Sequence, residues 1–319
     1  MKKQFHWAFA AVLSVLLMAS CEKVIEFDTS ISQSELVLNA VPSAQQQLFV
    51  NFSYTHFFLD TVHGYPLRDA NIVMSINGNN YYPSTQKGCN YFFDYILQED
   101  DSLFVTIDAG GRTITSHTTV PRMPIITNPV AQTNDTGAFH LMVVNFNIDD
   151  HPNYKDYYCI SIRQRDSGSH YIPYLDIYDT IDTTYNTLFL CNDKALIDPT
   201  LAAEMSFRGF VPADRLMSSD EMFDGQLHNT TLMLILLRDT NEVQPYIHQY
   251  TLDVETVSPD RFRYLKDIAN ATSMLQLLTE PPAVYSNVQG ALGIFAANAR
   301  CQYPLITLTG GTLPPPRKE

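Results

Sequence analysis

The residue with the most explicit chemistry in this sequence is Cys21. It follows Ala19-Ser20, and those small residues close an uncharged stretch from Trp7 to Met18 that is preceded by Lys2 and Lys3. A basic start, a short apolar run and small residues at a cleavage point make a secretory leader. With a cysteine directly after that point, the junction reads as a lipoprotein site, where the thiol is acylated and residues 1–20 are removed. Met18 stands where leucine is usual in such a junction. The apolar run is too short to cross about 30 Å of hydrocarbon, which takes roughly 20 apolar residues as a helix, so it is expected to leave with the leader. At about 0.8 kcal/mol per buried CH₂, two or more acyl chains hold a protein at a bilayer essentially permanently. Membrane attachment therefore falls to Cys21, and the rest of the chain shows no apolar stretch long enough to span. Ordinary secretion, with Cys21 merely nearby, is the alternative.

Other reactive constellations are missing. No glycine-rich phosphate loop, paired-histidine zinc motif or nucleophile elbow occurs, and the nine histidines are dispersed. Asn147, Asp149 and Asp150 distantly resemble a calcium loop, but the required glycine and closing glutamate are lacking. His248 sits in an alternating segment and reads as core or surface. Ser258 and Ser286 have no histidine and acid placed beside them. The expectation is a non-enzyme with no metal and no cofactor. Four further cysteines, Cys89, Cys159, Cys191 and Cys301, meet an oxidising setting after export and allow three pairings. A bridge within the carboxyl-terminal region is favoured, with buried free thiols as the alternative.

Losing Lys2 and Lys3 with the leader takes the formal charge from −14 to −16, which repels nucleic acid and anionic lipid surfaces. The single tryptophan, Trp7, lies in the leader. Any stacking on sugar rings would rest on tyrosine or phenylalanine.

The elements that would position these groups have the period of strands. Val50, Phe52 and Tyr54 alternate with Asn51 and Ser53, and Ile72, Met74 and Ile76 alternate with Val73 and Ser75. Asn77-Gly78 supplies a turn, and Ala109-Gly110-Gly111-Arg112 another between Val105-Ile107 and Thr113-Thr115. The pattern predicts a mainly β protein whose first domain, 35–121, is an immunoglobulin- or fibronectin-like sandwich behind a lipidated tether, 21–34. Pro121, Pro124 and Pro129 mark the boundary to a second β-rich domain, 122–312, with an extended tail over 313–319. There, 141–148 and 157–162 read as a hairpin around an acidic loop, followed by strands over 185–190, 231–237 and 246–254. The 231–237 strand is apolar on both faces and so central. One short helix starts at Ser258-Pro259-Asp260, capped by Ser258. Its stripe of Tyr264, Leu265 and Ile268 is expected to cover the sheet.

A block further on, Glu280-Pro281-Pro282-Ala283-Val284-Tyr285-Ser286-Asn287-Val288-Gln289-Gly290, carries a resemblance. With the Cys21-Glu22-Lys23 tether, Leu36-Ala40, Ala70-Ile72 and Thr118-Pro121, the chain resembles uncharacterised Bacteroidetes outer-membrane lipoproteins that bear a domain of unknown function and are encoded beside TonB-dependent receptors. Ala291 stands where a second glycine is expected. The resemblance implies no catalytic residues. It implies a lipid-anchored accessory protein that assists ligand capture or assembly of a TonB-dependent transporter, the membrane and that receptor being its partners and nucleic acid not. A structural or adhesive surface lipoprotein is the alternative, and an exported hydrolase comes third. Tyr285, Ser286, Asn287, Gly290 and Gly293 form the candidate loop. Glycines at this spacing permit either close approach to another backbone or contact with a ligand, and the first reading is favoured.

Overall fold

The computed structural model describes residues 34–55, 67, 69–135, 139–172, 177–198, 206, 208–237, 247–271 and 284–309. Met1–Ser34 and Glu35–Glu319 form separate units, with Ser34 the one described residue of the first. Cys21, the leader and the tail after 309 lie outside the described residues.

The first sandwich comprises β1 (Leu36–Ala40), β2 (Gln47–Tyr54), β3 (Asn71–Ile76), β4 (Asn79–Tyr81), β5 (Thr85–Lys87), β6 (Asn90–Ile96), β7 (Ser102–Ala109) and β8 (Arg112–Thr119). One sheet has the order β1-β2-β6-β5 and the other β4-β3-β7-β8. That is the Greek-key arrangement of an immunoglobulin-type sandwich. Alternation explains the layers: Leu38, Leu48 and Phe52 from one sheet meet Met74, Leu103 and Val105 from the other in a single buried core. Asn77 and Gly78 take φ values of 51° and 84°, and Gly110 and Gly111 take 58° and 73°. These pairs make the two-residue turns whose twist matches antiparallel strands.

The second sandwich comprises β9 (Ile125–Asp135), β10 (Phe139–Asp149), β11 (Tyr157–Ile172), β12 (Ile177–Asn186), β13 (Phe189–Cys191), β14 (Val211–Ala213), β15 (Leu216–Ser219), β16 (Leu227–Leu237), β17 (Ile247–Val257), β18 (Leu292–Phe295) and β19 (Asn298–Thr309), of which β18 belongs elsewhere. Its sheets run β14-β13-β16-β10-β9 and β12-β11-β17-β19, with β15 beside the first part of β11. The long β11 thus serves two neighbours on one edge: residues 157–160 pair with β15 and residues 163–172 with β12. Met142, Val144 and Phe146 face Tyr158, Ile160 and Leu252 across the core.

Several expectations are corrected. Strands β10 and β11 do not form a hairpin. They lie in opposite sheets, and 150–156 arches between them, because both present an apolar face to the same core. The strand expected over 185–190 is broken at Thr187-Leu188, between β12 and β13. Strand β16 is central, but its burial alternates: Thr230, Leu232, Leu234 and Leu236 are buried, while Ile235 on the other face is 51 % exposed. The helix α1 (Pro259–Ala271) is capped as expected, with Arg261 N–H donating to Ser258 Oγ at 3.4 Å. Its grip on the sheet comes from Phe262 against Tyr157, ring centroids 4.7 Å apart, and from Arg261 to Glu255, whereas none of its residues is fully buried.

Contacts cross the division after 121. Val120 belongs to the first core and Ile126 to the second, but Phe295, Ala297 and Ala299 return to the first. Strand β18 pairs in parallel with β1, extending that sheet at its edge. Strand β19 then runs on beside β17, so it starts in one core and ends in the other.

No disulfide forms in the body: Cys89, Cys159, Cys191 and Cys301 are all free. Cys159 pairs with Glu255 and Glu255 with Arg300, so Cys301, one residue on, faces the opposite side of the same sheet from Cys159. Cys191 sits in the facing sheet and Cys89 in the first sandwich. Burial pushes the Cys159 thiol up to about 12 and the Cys191 thiol up to about 11. Both are thereby kept as unreactive thiols at neutral pH. Denatured, unreduced protein should show all four body thiols to a maleimide, while the native protein should label at Cys89 and Cys301 far faster than at Cys159 and Cys191. Mass spectrometry of the labelled peptides checks this, and fewer than four thiols would contradict it.

Candidate functional site

The loop singled out by sequence is a strap, and the structure shows what each of its residues holds. Asn287 acts as a surrogate strand: its Oδ1 accepts from Phe295 N–H at 3.0 Å and its Nδ2 donates to Phe295 O at 2.8 Å. The same amide reaches His117 O at 3.2 Å and Asp260 at 3.3 Å. Tyr285 donates its hydroxyl to Asp260 Oδ1 at 2.6 Å and its N–H to Asp267 at 2.9 Å, both on α1. The bond to Asp260, followed by burial, holds the Tyr285 phenol above its ordinary range. Ser286 Oγ donates to Gly293 O at 2.7 Å, and Gln289 exchanges both backbone bonds with Thr115 on β8.

The glycines serve the approach of backbone to backbone. A Cβ on Gly290 (φ +83°) would sit 2.8 Å from Thr113 O, and one on Gly293 (φ +110°) 2.1 Å from Leu38 O. No L side chain fits either place. The strap therefore ties α1, which continues from the second sandwich, to β8 and β1 of the first.

Other bonds cross the same junction. Arg122 lies between Asp100, at 3.1 Å, and the ring of Tyr154, 4.5 Å from its centroid. Asn298 exchanges backbone bonds with Pro42 and Ala44 at 2.9 Å, and its Nδ2 donates to Glu255 at 2.8 Å. Asp253, buried at 3 % exposure, is paired with Arg300 beside that carboxylate.

A second concentration of titratable groups escaped the sequence. Asp150, Asp220 and Asp224 bring carboxylate oxygens within 4.8 Å of one another, with Asp156 adjoining. Asp150 and Asp156 come from the arch 150–156, and Asp220 and Asp224 from the turn between β15 and β16. Of the residues likened to a calcium loop, only Asp150 turns inward. Asn147 and Asp149 keep the outward alternation of β10 and pair with Asn229 and Leu227. The oxygens already have donors: Tyr158 O–H reaches Asp150 at 2.6 Å, Gly225 N–H reaches Asp150 at 2.8 Å, and Asp156 N–H reaches Asp220 at 2.6 Å. A divalent cation would compete for those same atoms. Burial raises Asp156 to about 6, against the lowering pull of its 2.8 Å bond to His151, and burial also raises Asp220.

Two more histidine–carboxylate pairs serve as joints. His228 and Thr230 both meet Asp193 at 2.6 Å, with His228 stacked on Phe223, and His248 meets Asp166 at 2.7 Å. Asp193 in turn accepts from Ala195 N–H at 3.0 Å and shapes the turn after β13.

Together these features define a tandem β-sandwich protein whose two cores are clasped by a returning strap. The chain belongs to the family described as domain of unknown function (DUF4249), whose model matches residues 22–302. No curated protein sequence matches it. Among solved structures, a crystal structure of the collagen adhesin (CNA) from S. aureus aligns over 87 % of this chain and 95 % of its own. Identity there is 8 % and the TM-score 0.17, a likeness that carries no argument.

Two predictions follow from the strap and the acidic turn. Asn287→Ala should lower stability by about 2–3 kcal/mol, since it orphans backbone groups of Phe295, and should split one cooperative unfolding transition into two. Calorimetry reads both effects. For Asp156 and Asp220 the folded state binds the proton more tightly than the unfolded chain does. For Asp156 the resulting contribution is complete below about pH 4 and lost as pH rises through about 6, and that of Asp220 falls with rising pH in the same sense. Replacing Asp156 with Asn should remove that slope, so the melting temperature of the variant relative to wild type should rise by about 3–6 °C from pH 4 to pH 6.5.

Proposed function

We propose that this chain is an outer-membrane lipoprotein, held by acyl chains on Cys21, whose non-catalytic body assists ligand capture or assembly of a TonB-dependent transporter in a Bacteroidetes envelope. The observation that carries the anchor is the junction Ala19-Ser20-Cys21 behind a basic, short apolar leader. The accessory role draws its support from the resemblance of the Tyr285–Gly290 block, together with the build of the body. Two sandwiches clasped by a strap make a stiff, acidic module, suited to holding a binding surface at a set distance from an anchor. The tether of residues 21–34 can extend at most about 50 Å, so the module works close to its membrane.

Mass spectrometry of the native protein should find the chain beginning at an acylated Cys21, and Cys21→Ser should release the body from membranes. An unacylated first residue or a retained leader would sink the anchor. Pull-down with the anchor intact should recover an outer-membrane transporter, and deletion should lower nutrient uptake. Recovery of none, with uptake unchanged, would end the accessory reading while leaving the anchor standing.

A further inference from the structure

Among the described residues, one large surface of the second sandwich takes no part in either core or in the strap: the outer face of the sheet β14-β13-β16-β10-β9. Strand register sets Leu141 beside Ile235 and Val143 beside Met233, with Leu190 on the far side of Met233. Val130 lies next to Asn145, and Ile235 and Val130 are about half exposed. Along β9, β10 and β16, the outward positions over 125–134, 141–149 and 227–235 carry one charge, Asp149, at a corner. A solvated surface is ordinarily about 25–35 % charged. Some polar members of this face are paired with one another: Asn229 donates to Asn147 at 2.7 Å, and Thr231 donates to Asn145 at 2.7 Å. Those two bonds survive when the face is covered, which lowers the cost of burying the groups that make them.

We infer that this face is a docking surface for a second copy of the chain, packed sheet against sheet. Its size fits. Three long strands spaced about 4.8 Å apart and about 30 Å long, with two short strands alongside, give a projected face on the order of 600 Å². That approaches the roughly 800 Å² that a stable complex takes from each partner. Its charge selects the occupant. The chain carries a formal charge of −14, so two copies repel wherever carboxylates meet, and this face keeps such groups away from its centre. A basic partner would be drawn to carboxylates, which this face does not offer. Its shape suits another sheet, since two sheet faces interdigitate at about 10 Å spacing.

The full-length chain, extracted in mild detergent, is the material for the test. Light scattering over a hundredfold range of concentration, corrected for bound detergent, should show twice the chain mass at the upper end. Ile235→Glu and Met233→Glu should each weaken association at least tenfold with an unchanged melting temperature. Tyr82→Glu, on an exposed residue of the first sandwich, should change nothing. In intact envelopes, Thr231→Cys in a chain that also carries Cys89→Ser and Cys301→Ser should give, with a bis-maleimide, an adduct of two identical chains that the chain without Thr231→Cys does not give, a readout that survives even if a glutamate variant fails to fold. A single-chain mass throughout with no such adduct overturns the inference. So does a Thr231→Cys adduct to a different protein, or association indifferent to glutamate at Ile235 and Met233.

Discussion

The architecture depends on the amide of one side chain. Asn287 satisfies both the N–H and the C=O of Phe295, and in doing so supports β18, which pairs with β1 through Asn39 with Ile294 and Ala40 with Phe295. A backbone pair buried without partners costs about 1–3 kcal/mol per group, so this residue decides whether the chain can return to the first sandwich at all. Once it does, Phe295, Ala297 and Ala299 complete a core begun at Leu36, close to the other end of the body in sequence. The long loop that this closes is expensive in chain entropy only logarithmically, whereas the contacts it gains grow with buried area.

That return converts two sandwiches in series into one mechanical body. Strand β19 is shared, Arg122 is held between an acid of one sandwich and an aromatic ring of the other, and Asn298 binds the backbone of one and the carboxylate of the other. Interfaces between domains of one chain are ordinarily modest and permissive of motion. Here the junction is made of backbone hydrogen bonds and a continuous strand, which leave little freedom.

The acidic turn shows the opposite use of polar groups. Asp150 accepts from Tyr158 and Gly225, and Asp220 from the backbone of Asp156, so these carboxylates brace the arch between sheets. The bracing carries an electrostatic cost, visible in the raised Asp156 and Asp220, because burial disfavours their charged forms and the neighbouring carboxylates add to it. The chain tolerates the cost where the arch must cross from one sheet to the other and its backbone would otherwise lack partners.

Local patterns were enough for whatever depends on neighbours in sequence. The alternation of Val50, Phe52 and Tyr54, the turns at Asn77-Gly78 and Gly110-Gly111, the cap at Ser258 and the close backbone approach at Gly290 and Gly293 are all legible, because period, φ and capping are properties of a few adjacent residues. In the first sandwich such turns account for the β3–β4 and β7–β8 pairings but not for β2 beside β6 or β3 beside β7. Tertiary structure alone decided the rest. Periodicity says which face of a strand is apolar but not which sheet it joins, so β10 and β11 looked like a hairpin and proved to be opposing layers. Nothing near Cys159 and Cys301 says that they face opposite sides of a sheet, and nothing links Asp150 to Asp220 along the chain. Those relations are distances between segments far apart in sequence, and they exist only once a core has brought the segments together.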